Sequence, residues 1–226
     1  MRLMLLPGLN GSNTLFGPLL AHLHPALEVQ VLELPTEGSQ AYKDLAGLLL
    51  GRLGNTPYVL LGESYSGPLA YLLALHRPPG LRGVIFAASF LSLPHPLLPL
   101  LKYLPLPRWL LAQNTLLNLF CLNGQASTQL TQLLREEIQK LPPRLLRARL
   151  YSLSQLQKPA LQLELPALHL LAKQDRLVTR NAQASLSACC TQLTEIVLAG
   201  PHFLLQTQPQ ACANAIQRFI AGLPVD

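Results

Sequence analysis

The chain has 226 residues, half of them apolar and only 12% charged, with a net charge of +6. That is enough apolar material for one substantial core, and it leaves no room for a second domain of ordinary size. The charged fraction falls well below the usual quarter, so much of the surface is expected to be apolar, which favours a lipophilic substrate or a membrane-adjacent partner. In chain order, short apolar runs predict strands near 2–6, 29–33, 57–62, 83–88, 167–171 and 194–198. Helices are predicted near 14–23, 40–53, 66–76, 181–190 and 206–220. This alternation implies an α/β fold, a mostly parallel sheet covered by helices on both faces. Between Phe90 and Pro166 lie about 75 residues where one crossover helix would suffice. The excess, PRWLLAQNTLLNLFCL, ASTQLTQLLREEIQKL and PPRLLRARLYSLSQL, predicts helices that form a cap inserted over the carboxyl ends of the strands. The expected division is a core of 1–90 and 160–226 with a cap at 91–159.

The most informative stretch is YVLLGESYSGPLAYLLALHR at 58–77, where an apolar strand breaks at Gly62-Glu63-Ser64-Tyr65-Ser66-Gly67 and resumes as a helix. A serine on so sharp a turn needs small residues two before and two after it, which Gly62 and Ser66 supply for Ser64. Ser66 is the weaker nucleophile candidate because Pro68 stands two residues beyond it.

A nucleophilic serine needs a base and an acid. Of the later histidines, His76 closes the helix after the elbow, His95 lies in the proline-rich segment LPHPLLPLL, and His169 sits within an apolar strand and reads as a core residue. His202 follows the strand-like run 194–198 and the turn Ala199-Gly200-Pro201, where a strand's carboxyl end presents a general base. Asp175 is the only aspartate between Ser64 and His202, and it too stands just beyond a strand. Glu136 and Glu137 fall in a charged helical segment, and Glu164 precedes its strand. An oxyanion site needs two backbone amides. Tyr65 offers one, and the loop Pro7-Gly8-Leu9-Asn10-Gly11-Ser12 offers the other, assigned to Leu9 with Asn10 as the alternative.

Together these residues resemble the α/β-hydrolases. LPGLNGS is similar to their oxyanion loop, GESYSG to their elbow, KQDRLV to their acid loop and GPHFLLQTQP to their histidine loop, in family order and covering about 1–90 and 160–226. The resemblance implies Ser64 as nucleophile, Asp175 as acid and His202 as base, with Leu9 and Tyr65 lining the oxyanion site. It implies a serine hydrolase of carboxylic esters that needs no cofactor and no metal. Thioesters and acyl transfer use the same route, and a non-catalytic hydrolase-fold binding protein is the alternative of a different class. Two features depart from the family: Pro7 stands where many relatives carry a histidine, and the family's first two antiparallel strands are not found before residue 2, so a shortened sheet is expected.

Residues 91–158 hold eight bases against two acids, so the whole net charge of +6 sits in the expected cap. Its outer faces could be merely solvated. The alternative is recruitment of an anionic substrate or of an acidic partner, such as an acyl carrier protein docking on Arg144, Arg147 and Arg149. The leucine-rich run from Leu97 to Phe120 is expected to line an acyl pocket. No aromatic interleaving accompanies the bases, so nucleic acid is not an expected partner. The run 97–122 is broken by prolines and charges and makes a poor membrane span. Cys121, Cys189, Cys190 and Cys212 match neither a metal-ligand spacing nor a disulfide framework. With only four residues between Arg2 and Pro7, the start of the chain is too short for a signal-peptide core, and a cytoplasmic protein is expected.

Overall fold

The computed structural model describes residues 1–101, 121–122, 124 and 127–224. Six strands form one sheet: β1 (Arg2–Leu6), β2 (Val29–Val31), β3 (Tyr58–Glu63), β4 (Leu81–Ala87), β5 (Leu163–Ala172) and β6 (Cys190–Leu198). Their order is β2-β1-β3-β4-β5-β6, and all five pairings are parallel. In β1 and β3 successive side chains serve opposite faces: Leu3, Leu5, Val59 and Leu61 enter one core, while Met4, Leu6, Tyr58 and Leu60 enter the other. Burial on both faces explains why these strands are near-continuous apolar runs. Helices α2 (Tyr42–Leu50) and α3 (Gly67–Leu75) cover the second face through Leu45, Leu49, Leu69 and Leu73. Helix α1 (Gly17–Leu20) and helix α9 (Pro209–Ala221) cover the first through Leu19, Ala213 and Ile216.

The chain leaves β1 for β2 on one side and returns to β3 on the other, so the strand order reverses between β1 and β3. Leu6 pairs with Gly62 at this switch point. The 7–12 loop and the turn after Glu63 therefore emerge side by side, where ligands bind in open α/β sheets.

Three predicted helices are shorter than the sequence suggests. The 14–23 helix is a 3₁₀ turn over Thr14–Phe16 followed by α1, where Gly17 and Pro18 interrupt regular hydrogen bonding. The helix predicted at 181–190 is a single turn, α7 (Arg180–Gln183). The 206–220 segment divides into α8 (Leu204–Thr207) and α9 because Gln208, kept out of the helical region before Pro209, has φ −129° and ψ 47°. Strand β5 starts at Leu163, so Glu164 lies inside it and pairs with Arg77 at 2.5 Å instead of standing before it.

Between β4 and β5 stand α4 (Leu98–Leu101), α5 (Thr128–Lys140) and α6 (Pro143–Ser154). Helix α5 is capped by Ser127, whose hydroxyl accepts from the Leu130 amide at 3.2 Å. Leu130 and Leu134 pack against Leu15 and Leu122, and Leu141, Leu145 and Leu146 against Leu9, so this pair sits on the loop that follows β1. Of the run expected to line an acyl pocket, Leu97 is exposed and Leu98 is buried in the core, while 102–120 lie outside the described residues. Among the described residues no helix is long and apolar enough to cross a membrane.

Candidate active site

Ser64 is the residue after β3 and holds φ +47°. That left-handed conformation costs a non-glycine residue roughly 1–3 kcal/mol and survives only when its surroundings enforce it. They do so at several points. A side chain at Gly62 would meet the Ser66 carbonyl oxygen at 2.5 Å, so the turn closes only over glycine. Ser66, fully buried, donates its hydroxyl to the Pro7 carbonyl at 2.5 Å, which ties the elbow to the β1 loop and makes Ser66 structural. Ser89 donates to the Ser64 carbonyl at 2.7 Å, placed there because Ala88 itself turns with φ +46°.

The Ser64 hydroxyl lies 2.8 Å from His202 Nε2, and His202 Nδ1 lies 2.8 Å from Asp175 Oδ2. The other Asp175 oxygen accepts from the Leu177 and Val178 amides, both at 2.9 Å. The acid and histidine loops are joined by the Gln174 amide, which donates to Gly200 at 3.0 Å. Both side chains are almost wholly buried. Burial alone would raise the Asp175 carboxyl, but His202 and the two amides outweigh it and hold the group below the usual carboxylate range. For His202, burial pushes the imidazole down, and the neighbouring Asp175 carboxylate outweighs it and lifts the group above 6.5. With the carboxylate on Nδ1, the arrangement leaves Nε2 able to take a proton from the serine hydroxyl.

The sequence reading brings Ser64, Asp175 and His202 together and sets His169 aside. His169 is fully buried in β5 with Nδ1 3.3 Å from Glu195. Tyr65 is buried, its ring tilted on Tyr42 at 5.2 Å, and its carbonyl accepts from the Tyr42 hydroxyl at 2.9 Å. Leu9 lies in the loop beside it, where the Gly11 amide closes a turn on the Gly8 carbonyl at 3.0 Å.

Two charged residues, Arg149 and Glu137, depart from their sequence reading, and a third, Glu63, has none. Arg149, expected with Arg144 and Arg147 to dock a partner, is 0% exposed and binds inward, so it cannot meet one; Arg144 and Arg147 are exposed. Glu137 is buried rather than solvated, and accepts from Ser12 at 2.5 Å and Lys140 at 2.9 Å. Glu63, unremarked in the sequence, is buried directly before Ser64 and accepts from Gln206 at 2.8 Å. Burial pushes its carboxyl up, opposed in part by Gln206, His202 and the Gly8 backbone. A carboxylate ending an otherwise apolar strand was its signal in the sequence. Among the described residues no group of three or more His, Cys, Asp or Glu side chains is placed to hold a metal ion.

A parallel sheet with a strained serine at its switch point, and histidine and aspartate on the loops after its last strands, defines an α/β-hydrolase. The chain belongs to the serine aminopeptidase, S33, family, whose model matches residues 36–200. It is 30% identical to the biotin biosynthesis bifunctional protein BioHC of Cellvibrio japonicus over 98% of its own length, and spans about half (48%) of that relative. Among solved structures it resembles a hydrolase from Oleispira antarctica, with a TM-score of 0.85 and 14% identity over 98% of this chain and 91% of that one. A thermophilic esterase from Thermogutta terrifontis gives a TM-score of 0.79 at 18% identity over 98% and 89%. The type II thioesterase BorB of the borrelidin biosynthetic cluster gives 0.75 at 21% over 97% and 92%. At these identities the structural likenesses show the fold alone.

Proposed function

We propose that the protein is a serine hydrolase of carboxylic esters with an apolar acyl chain. The observation that carries the reading is the unbroken contact series from Ser64 Oγ through His202 to Asp175, each step 2.8 Å, on a serine held at φ +47°. Ser64 attacks the carbonyl while His202 Nε2 takes its proton, and the Leu9 and Tyr65 amides receive the oxyanion. The tetrahedral intermediate collapses, and the leaving alcohol departs with the proton from His202. Water, activated by the same imidazole, then releases the acid from Ser64. Residues 91–159 act as a cap on a core of 1–90 and 160–226. The four free cysteines support a cytoplasmic location.

Labelling with a fluorophosphonate tests the reading. The wild type takes up the probe and Ser64→Ala does not. An unlabelled wild type, or a labelled Ser64→Ala, overturns it and moves a non-catalytic binding role ahead.

A thioester carried by an acidic acyl carrier protein is the second reading. It is supported by exposed Arg144 and Arg147 on α6 and by the likeness to a type II thioesterase and to a biotin biosynthesis protein. Replacing both arginines by alanine lowers kcat/KM for a carrier-bound substrate about tenfold more than for a free ester, and added salt narrows the gap because screening acts on docking. Equal loss on both substrates removes the carrier from the account.

A further inference from the structure

Arg149 is a cation with no exposed surface, and a buried guanidinium persists only where its donors are used. Its three contacts reach two loops, the one after β1 and the one between β2 and α2. Nη1 donates to the Leu9 carbonyl at 2.7 Å, Nη2 to the Pro35 carbonyl at 3.0 Å, and Nε to Gln40 Oε1 at 3.0 Å. The first contact matters most for chemistry. The peptide before Leu9 is fixed by the Gly11 amide on the Gly8 carbonyl, and the peptide after it by Arg149 on the Leu9 carbonyl. With both flanking planes held, the direction of the Leu9 N–H is set.

The loop is also shaped around this side chain. Gly11 has φ +75°, and a Cβ there would stand 2.5 Å from Arg149 Nη1. On its other side Arg149 reaches the elbow through Gln40, whose carbonyl accepts from the Tyr65 hydroxyl at 3.4 Å and from Ser152 of α6 at 2.7 Å. One residue of α6 thus connects both elements that supply oxyanion amides. Glu137 of α5 holds the far end of the same loop through Ser12.

Resting on the serine-hydrolase reading, we propose that Arg149 is a positioning residue for the oxyanion site: from helix α6 it pins the Leu9 carbonyl, and so aims the Leu9 amide at the carbonyl under attack by Ser64. Substrate turnover then depends on the seating of the α5–α6 pair, because the loop takes its working shape only with that pair in place.

The test compares the full-length wild type with Arg149→Lys, which keeps the charge but loses the fork, and Arg149→Met, which keeps much of the volume. On a short p-nitrophenyl ester, Arg149→Met loses roughly 10- to 100-fold in kcat at unchanged KM, since misaiming one oxyanion donor acts on the transition state. Arg149→Lys falls between it and wild type. The decisive readout is the carbon-13 resonance of a labelled trifluoromethyl ketone adduct on Ser64. Its hemiketal hydroxyl ionises at higher pH in the variants than in wild type, because the oxyanion has lost a donor. A purely structural role for Arg149 lowers Tm or raises KM and leaves that titration where it was. If Arg149→Met does not fold, Arg149→Lys decides: wild-type kcat and an unmoved titration in any folded variant overturn the proposal. A wild type that fluorophosphonate does not label overturns the serine-hydrolase reading itself, whereas a labelled wild type with unaffected variants overturns only the role of Arg149.

Discussion

Replacing Gly62 by alanine tests whether the elbow, rather than the mere presence of a serine, carries the activity. The added Cβ lies 2.5 Å from the Ser66 carbonyl oxygen, 2.9 Å from the Ser66 carbonyl carbon and 2.9 Å from Ala70 Cβ. Ordinary contact starts at 3.4 Å, so the turn must open by about 0.9 Å. Two of the three neighbours are backbone of the turn that carries Ser64, and no rotamer change relieves them. Overpacking on this scale costs about 1–3 kcal/mol of stability. It also carries Ser64 out of its 2.8 Å contact with His202, and a displacement near 1 Å lowers turnover by about 100-fold. Gly47 provides the control, since it lies within α2 and an added Cβ meets nothing within 4 Å. Gly47→Ala stabilises the fold by about 0.5–1 kcal/mol through helix propensity and leaves turnover alone. Thermal unfolding and kcat/KM on a p-nitrophenyl ester measure both variants. A Gly62→Ala protein that matches Gly47→Ala in Tm and activity would refute the reasoning, because the elbow would then tolerate a side chain at its tightest point.

Ser64→Ala lowers kcat by on the order of a million-fold if the three residues act as a unit, while circular dichroism and Tm show the fold intact. Asp175→Asn leaves the fold in place and costs about ten-thousandfold in kcat. Its pH profile adds a signed test: activity rises as His202 loses its proton, Asp175 holds that step above 6.5, and removing the carboxylate lets burial move the rising limb to lower pH. A limb that stays in place shows that Asp175 does not set the imidazole. Glu63→Gln moves the same limb in the same direction, because the Glu63 carboxylate also raises His202. Across p-nitrophenyl esters of growing chain length kcat/KM climbs about fourfold per carbon until the acyl site is full, from about 0.8 kcal/mol per buried methylene; a flat profile beyond acetate points to a small polar acyl group.

The centre of the sheet was legible in the sequence because β1, β3 and β4 are apolar runs buried on two faces that end where the backbone leaves the core, whereas the edge strands β2 and β6 are only partly buried. That Ser64, His202 and Asp175 lie in contact was legible for a different reason: acids and histidines are scarce in this chain, and only Asp175 and His202 follow strands in workable order. Helix lengths were less legible. At Gly17-Pro18 and at Gln208-Pro209 local backbone chemistry ends hydrogen-bonded turns that apolar spacing alone would continue. Ala88 and its φ of +46° carried no signal at all, since nothing in Phe86-Ala87-Ala88-Ser89-Phe90 marks the residue that must turn.

Arg149 and Glu137 show where a sequence speaks only halfway. Arg149 stands four residues after Leu145, three after Leu146 and four before Leu153, all buried, so it lies on the apolar stripe of α6, whereas Arg144 and Arg147 lie off it. Glu137 likewise stands on the buried stripe of α5, seven residues after Leu130 and three after Leu134. A charge on an apolar stripe is expelled from water and must be satisfied by something across the interface. Counting charge over the whole segment hides this, because it pools the two buried groups with the solvated ones. What the stripe does not disclose is the partner: Arg149 meets the Leu9 carbonyl 140 positions away, and Glu137 meets Ser12 across 125. Both partners fall in one short loop after β1, although the two charges have opposite sign and sit on different helices. Stability alone would be as well served by apolar residues at both positions. Placing both charges on the loop that presents Leu9 fits a demand for geometry, which the Arg149 variants measure.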